Sequence, residues 1–257
     1  MDIKIVVAAH KEYTMPQDSI YLPLHVGKNG AEGFGFEGDD TGDNISHKND
    51  KFCELTALYW AYKNLDADYV GLAHYRRHFS LKPKKDVFSS VLSRREIEPL
   101  LEKCDVILPK KQNYYIENLY SHYAHTHDES HLEVLKDVLR EIEPEYLSEF
   151  ERLKKRTSAH MFNMLIMKKE ILNEYCDWLF KVVFEVEKRI DTSKMSDFDK
   201  RLFGRLSELL LDVWINKNGI KYCEVPVVYT EKINLFKKAA GFLKAKFFGK
   251  SYNKSFK

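Results

Sequence analysis

The densest group of side chains that could do chemistry is the run His-Tyr-Arg-Arg-His at residues 74–78. It directly follows the apolar segment Tyr69–Ala73, which predicts a buried strand. Arg76 and Arg77 carry permanent charges and can each donate two hydrogen bonds to a phosphate. Two such groups at a strand's end indicate a phosphate or pyrophosphate site. A structural cluster of ion pairs is the alternative.

A second candidate is the glycine-rich stretch of residues 27–50, which holds six of the eleven glycines. Asp39, Asp40 and Asp43 lie within it and could bind a divalent cation or sugar hydroxyls. The alternative is a solvated loop that uses Asx turns. The loop is not an EF-hand, and the chain has neither a Walker A sequence nor GxGxxG, so P-loop and Rossmann cofactor sites lack support.

Four histidines cluster between residues 122 and 131. On one helix, His127 and His131 would have the i, i+4 spacing that can chelate zinc. No cysteine and no HExxH sequence accompanies them. The alternative is a set of solvated or cleft-lining histidines.

Polar residues in two apolar segments are further candidates. Asn163 lies within the predicted strand Phe162–Met167 and should be paired or face a ligand, and His160 precedes that strand. Glu208 lies in the predicted helix Arg201–Ile215, where burial could tune its pKa for general-base work. The alternatives are an asparagine satisfied within the core and a glutamate that faces solvent.

The apolar pattern supplies the elements that must position these residues. Short β-branched runs predict strands, which are Ile3–Ala9, Tyr69–Ala73, Asp105–Leu108, Phe162–Met167 and Tyr222–Val228. Longer periodic segments predict helices, which are 49–64, 130–155 with a break at Pro144, 168–186 and 201–215. This alternation predicts an α/β domain with a mixed, mostly parallel sheet flanked by helices. Ligands of such sheets bind beyond the carboxyl ends of the strands.

Composition and charge limit the class of protein. The 257 residues fit one large domain, and 41 basic against 39 acidic residues disfavour a nucleic-acid binder. Eight lysines and no acid occur from Lys232 onward, mixed with phenylalanine and leucine at helical spacing. We therefore expect a domain at 1–230 and a basic amphipathic C-terminal segment at 231–257. That segment is predicted to bind the anionic inner face of the plasma membrane reversibly.

The four cysteines are at least 47 positions apart, so they form no CxxC pair. Their apolar surroundings predict buried, free thiols in a reducing cytoplasm. The chain shows no secretory signal and no apolar window long enough to span a membrane. We therefore expect a cytoplasmic protein held peripherally on the membrane.

An ordered set of motifs spanning roughly residues 3–228 resembles a bacterial family long labelled a domain of unknown function. The motifs are DTGDNIS at 40–46, Lys48-Asn49, CELTALYW at 53–60, GLAHYRR at 71–77, Tyr123 with His127, His160 with Asn163-Met164, Lys168-Lys169-Glu170, and Tyr175-Cys176 with 178–180. The family is found in capsule, O-antigen and exopolysaccharide gene clusters and is treated as glycosyltransferases. The resemblance implies a GT-A-like fold and a UDP-sugar donor, and some relatives look like galactofuranosyltransferases.

The resemblance implies transfer of a hexose, with galactofuranose favoured, to a lipid-linked glycan acceptor. We place the donor among residues from several segments, which are His10, Lys11, Asp40, Asn44, Asn49, His74, Tyr75, Arg76, Arg77, His160 and Asn163. Glu208 or Asp197 is the expected catalytic base. Arginines replace the metal-binding Asp-x-Asp usual at the end of a GT-A strand, so we expect no metal or other cofactor, with Mg²⁺ or Mn²⁺ as the alternative.

This chain departs from the family pattern at residues 204–210. An aromatic residue is usual at position 205 and an arginine at position 209, but the chain has Arg205 and Leu209. Two other functions stay open, which are a sugar-phosphate transferase and a non-catalytic subunit that binds a nucleotide sugar or glycan in a polysaccharide assembly complex.

Overall fold

The computed structural model of the protein describes residues 1–82, 84 and 86–231. Its strands are β1 (Ile3–Ala9), β2 (Tyr21–His25), β3 (Glu37–Gly38), β4 (Tyr69–His74), β5 (Arg77–Phe79), β6 (Val106–Pro109), β7 (Gln112–Asn113), β8 (Ser158–Ala159), β9 (Leu165–Lys168), β10 (Tyr222–Val225) and β11 (Val227–Tyr229). Its α-helices are α1 (Asn49–Phe52), α2 (Leu55–Asn64), α3 (Arg94–Leu101), α4 (Leu119–Thr126), α5 (Ser130–Ile142), α6 (Leu147–Lys154), α7 (Lys169–Arg189) and α8 (Leu202–Lys217).

The main sheet has the strand order β3-β2-β1-β4-β9-β6-β10, with β5 and β11 joined to it beside β4. Six of these seven strands are parallel, and β9 runs antiparallel to both of its neighbours, β4 and β6. This arrangement confirms the predicted mixed, mostly parallel sheet. Because β9 is reversed, its first residues lie at the same edge of the sheet as the last residues of β1 and β4.

Each face of the sheet is covered by its own apolar cluster. In β1, Val6 packs with the helices α2, α5, α7 and α8, whereas Ile5 and Val7 pack on the opposite face with Leu92 and Ile97. The alternation follows the two-residue period of a strand. Burial on both faces explains why β1 is continuously apolar.

The single helix predicted for residues 49–64 is two helices in the structure. Cys53 has a φ of +53° and separates α1 from α2. Gly204 of α8 packs against this break, where a Cβ atom on the glycine would lie 3.3 Å from the Phe52 carbonyl oxygen. The close approach of α8 therefore requires a residue without a side chain.

The predicted strand boundaries are wrong at two places. Phe162 and Asn163 have φ values of +80° and +53°, so they form a left-handed turn and β9 begins only at Leu165. Pro226 divides the predicted strand 222–228 into β10 and β11, since proline has no N–H for a continuous ladder. The strand β2 and the helices α3 and α4 were not expected from the sequence.

The prediction of four free thiols is wrong for one pair. Cys104 and Cys223 form a disulfide, with Cα atoms 5.9 Å apart, whereas Cys53 and Cys176 are free. Cys104 lies just before β6 and Cys223 lies in β10, so the pairing of these two strands brings the two segments together. The cysteines therefore give no support to the expectation of a reducing cytoplasm.

Of the two expectations about the membrane, the described residues address only the absence of a membrane-spanning helix. Apart from Glu231, the basic segment 231–257 lies outside the described residues. Within 1–82, 84 and 86–231, every helix is too short or too polar to cross a membrane.

Candidate active site

A cleft of about 960 Å³ opens at the sheet edge where β1 and β4 end and β9 begins. Ala8 and His74 line it from the ends of β1 and β4. The other walls come from the β4–β5 turn, the junction of α1 and α2, segment 112–115, α4 and the first two turns of α8. The cleft thus lies where open α/β sheets bind ligands.

Arg76 and Arg77 line this cleft from the turn between β4 and β5. Both Nε atoms are buried and have no hydrogen-bond partner among the described residues. The Arg77 guanidinium lies 4.4 Å from the centre of the Phe162 ring, and Arg76 lies 3.9 Å from the carboxylate of Glu231. Buried donors without partners favour binding of an anion from the cleft.

Glu208 projects into the same cleft from α8. Its Oε1 atom accepts a hydrogen bond of 3.0 Å from the Phe162 N–H. Burial, and to a lesser extent the negative charge of Glu54, raises the pKa of Glu208 to about 7, while the positive charge of Arg77 opposes the rise. A carboxylate with this pKa can accept a proton near neutral pH.

Glu54 is a cleft residue that was not among the predicted site residues, although it lies in the 53–60 motif. The Asn163 Nδ2 donates to Glu54 Oε1 at 2.8 Å, and Ser207 Oγ donates to Asn163 Oδ1 at 2.9 Å. Asn163 itself does not line the cleft, so it holds Glu54 in place. The sequence signal for this role was the polar asparagine in an apolar run.

His74 lies between these groups. Its Nε2 atom is 3.2 Å from the Phe162 carbonyl oxygen and 3.8 Å from Glu54 Oε1. Burial lowers the pKa of His74 to about 4, so the ring is neutral at pH 7. A neutral His74 donates through Nε2 to the carbonyl and adds no charge to the cleft.

Two more arginines that were not predicted as site residues line the cleft, Arg201 directly before α8 and Arg205 in its first turn. Arg201 Nε donates to Cys53 Sγ at 3.0 Å. Arg205 donates to His127 Nδ1 at 3.2 Å and to the Phe198 carbonyl oxygen at 2.5 Å. Position 205 stood out in the sequence only as a departure from the family pattern.

Four further predicted residues line the cleft or lie directly beside it. His10 and Tyr75 line the cleft and contact each other, with Nε2 and the hydroxyl 3.3 Å apart. Lys11 lies just outside the lining, 5.5 Å from the Tyr75 ring centre and 3.5 Å from Glu231 Oε1. Asn49 also lines the cleft, and its Nδ2 donates to the Cys53 carbonyl oxygen at 2.8 Å.

Besides Lys11 and Asn163, four predicted residues lie away from the cleft lining. Asp40 is exposed, and Asn44 bonds within its own loop, where Nδ2 donates to the Gly42 carbonyl oxygen at 3.0 Å. Asp197 is exposed near Lys200. His160 is buried, with Nδ1 2.5 Å from Asp212 Oδ1 and Nε2 2.8 Å from Glu224 Oε1, so it anchors the turn before β9.

The candidate metal ligands are engaged in other contacts. Asp39 is buried and accepts hydrogen bonds from the Gly27 and Lys28 N–H groups and from Ser46 Oγ. His131 contacts the Tyr123 hydroxyl and does not meet His127 at a common point. In the described part of the chain, no group of three His, Cys, Asp or Glu side chains is arranged to hold a metal ion. The aspartates and histidines considered above as metal ligands are therefore not assembled around a common point.

Comparisons with known proteins identify a family and a solved structure that resemble this chain. The family model described as "Domain of unknown function (DUF4422)" matches residues 4–219. The apo structure of the bifunctional glycosyltransferase WbbM superposes with a TM-score of 0.82 and 31% identity over 90% of this chain. That match covers 46% of the WbbM chain, so this protein spans less than half its length. A comparison with curated protein sequences gives no match. The similarity confirms the expected GT-A-like fold.

Proposed function

The chain belongs to the DUF4422 family, and from its cleft we propose that it is a glycosyltransferase that moves a hexose from a UDP-sugar to a glycan acceptor. One observation carries this proposal. Two arginines with unpartnered buried Nε atoms share a cleft with Glu208, whose pKa is raised to about 7. Glycosyl transfer by direct displacement uses a base to take the proton of the attacking hydroxyl. It also uses cations to stabilise the charge on the leaving diphosphate.

Each group has a defined part in the reaction. Glu208 accepts the proton of the acceptor hydroxyl while that oxygen forms a bond to the anomeric carbon of the donor. The bond from this carbon to the diphosphate oxygen breaks, and its electron pair leaves with UDP. Arg76 and Arg77 stabilise the negative charge that develops on the diphosphate. Glu54 keeps the pKa of Glu208 high, so that the carboxylate is a stronger base.

Finer features of the proposal rest on the sequence and on the family resemblance of its motifs. The family resemblance favours UDP-galactofuranose as donor and a lipid-linked saccharide of a bacterial surface polysaccharide as acceptor. A lipid-linked acceptor and the basic segment 231–257 support a peripheral location at the inner face of the plasma membrane. Guanidinium groups at the cleft support a reaction that needs no divalent metal, and a net charge of +2 gives no support for a nucleic-acid partner.

Calorimetric titration with UDP and hydrolysis of UDP-sugars without acceptor test the proposal together. We expect the wild type to bind UDP and to hydrolyse its donor slowly. Glu208→Gln should keep the affinity for UDP and lose hydrolysis. Arg152→Gln, which alters an exposed arginine paired with Glu149 on α6, is the matched control. Binding without hydrolysis or transfer in the wild type would instead support a sugar-nucleotide-binding subunit, and absence of UDP binding would contradict the donor site.

A further inference from the structure

The cleft is also lined by a second pair of arginines, Arg201 and Arg205. Arg205 and Glu208 lie three residues apart on one face of α8, and Arg201 immediately precedes that helix, four residues before Arg205. They span about 10 Å along the helix axis at a rise of ~1.5 Å per residue. Arg77 and Arg205 both act electrostatically on Glu208, so the carboxylate lies within reach of a charge from each arginine pair.

The partners of this second pair are uncharged. Arg201 donates to the thiol of Cys53, which stays protonated because burial raises its pKa to about 11. Arg205 donates to His127, which is neutral because burial and the nearby Arg205 charge lower its pKa to about 3. Neutral acceptors orient both guanidinium groups, and the carboxylates of Glu54 and Glu208 act on the Arg201 charge only from beyond ion-pair distance.

Neither guanidinium forms an ion pair with a carboxylate within residues 1–82, 84 and 86–231. Arg189 on α7 shows the contrasting arrangement, since it pairs with both Glu141 and Glu185. Burial lowers the pKa of Arg205, which shows that its charge is partly removed from water. A partly desolvated cation in an open cleft, paired only with neutral groups, favours an anionic ligand.

We propose that Arg201 and Arg205 bind an anionic group of the acceptor, a carboxylate or a phosphate, on the side of Glu208 opposite the donor. This inference rests on the proposed function, because Glu208 then lies between donor and acceptor. The Phe198 ring, 4.1 Å from the Arg205 guanidinium, and Tyr114 line the same wall and offer apolar surface to a sugar ring. The anionic group sits within two turns of α8 from the base, so it belongs to the accepting sugar or to a unit close to it.

Binding of simple saccharides to the UDP-saturated protein tests this subsite. The probes are glucuronic acid for a carboxylate, glucose 1-phosphate for a phosphate and glucose as the neutral control, measured by ligand-observed NMR. We expect at least one anionic probe to bind tenfold or more tightly than glucose, and the stronger probe identifies the class of anion. Arg205→Gln and Arg201→Gln should each reduce this preference at least fivefold, whereas Arg152→Gln should not.

Two results would overturn the inference. Equal binding of glucose and both anionic probes would show that the arginines select no anion. A loss of UDP affinity in Arg205→Gln as large as that in Arg77→Ala would assign the second pair to the donor diphosphate. Repeating the series without UDP separates this test from the donor site, and thermal unfolding of each variant identifies any loss of fold.

Discussion

Glu208→Gln should stabilise the protein at alkaline pH while abolishing turnover. Burial and Glu54 raise the pKa of Glu208 from 4.5 to about 7 in the folded protein. The folded state therefore holds the proton more tightly than the unfolded state, and the stability gained from the neutral form is complete below about pH 4.5 and lost as the pH rises through about 7. A shift of this size corresponds to roughly 3 kcal/mol between pH 5 and pH 8.

Glutamine mimics the protonated side chain and keeps an oxygen that can accept from the Phe162 N–H. Chemical denaturation at pH 5 should give similar free energies of unfolding for the variant and the wild type. At pH 8 the variant should be more stable by up to about 3 kcal/mol, or roughly 6–12 °C in melting temperature. The exposed Glu170→Gln on the first turn of α7 is the control, and its effect should stay within about 1 kcal/mol at both pH values.

The same pKa sets the pH dependence of the reaction, because only the carboxylate can accept a proton. The value of kcat/KM should fall tenfold per pH unit below about pH 7. A stability difference between Glu208→Gln and the wild type that is equal at pH 5 and pH 8, or an acid limb near pH 4.5, would show that Glu208 is not the buried base described here.

The remaining predictions concern the donor, the metal, the neighbouring carboxylate and the membrane. Arg76→Ala and Arg77→Ala should each weaken UDP binding by roughly 2–5 kcal/mol by calorimetry, and unchanged affinity in both would refute the diphosphate assignment. Turnover should survive EDTA, whereas loss of turnover that Mn²⁺ restores would establish a metal requirement. Glu54→Gln should lower the pKa of Glu208 and move the acid limb of kcat/KM to lower pH, and an unmoved limb would remove Glu54 from this role. The full chain should co-sediment with anionic vesicles at low salt and a chain ending at Thr230 should not, so equal behaviour of the two would reject membrane binding by the basic segment.

The sequence predicted those strands and helices whose apolar pattern lies within a single segment of the chain. The apolar runs of β1 and β4 and the periodicity of α7 are complete within their own segments, and all three elements were confirmed. The left-handed turn at Phe162 and Asn163 was missed because FNMLIM has the composition of a strand. Its conformation depends on bonds from Asn163 to Glu54 and Ser207, which are distant in the chain.

The sequence likewise predicted only some of the residues of the candidate site. Arg76 and Arg77 were found because they directly follow a predicted strand, and Glu208 because it is an acid in an apolar helix, and the structure brings all three into one cleft. Arg201 and Arg205 were missed because the sequence predicts the helix but not which face meets the cleft. The disulfide of Cys104 with Cys223 was beyond prediction because it depends on the pairing of β10 with β6, two segments that are distant in the chain.

The reversed strand β9 also has a consequence for the order in which the polypeptide can fold on the ribosome. It separates β4 from β6 and pairs Leu72 with Leu165, so the centre of the sheet stays incomplete until that later segment has been translated. Until then the nascent chain presents the apolar edge of Tyr69–His74 without its partner, and exposed strand edges promote aggregation. Chaperone contact with the emerging polypeptide should therefore be strongest before residue 165 leaves the exit tunnel and decline once β9 has inserted.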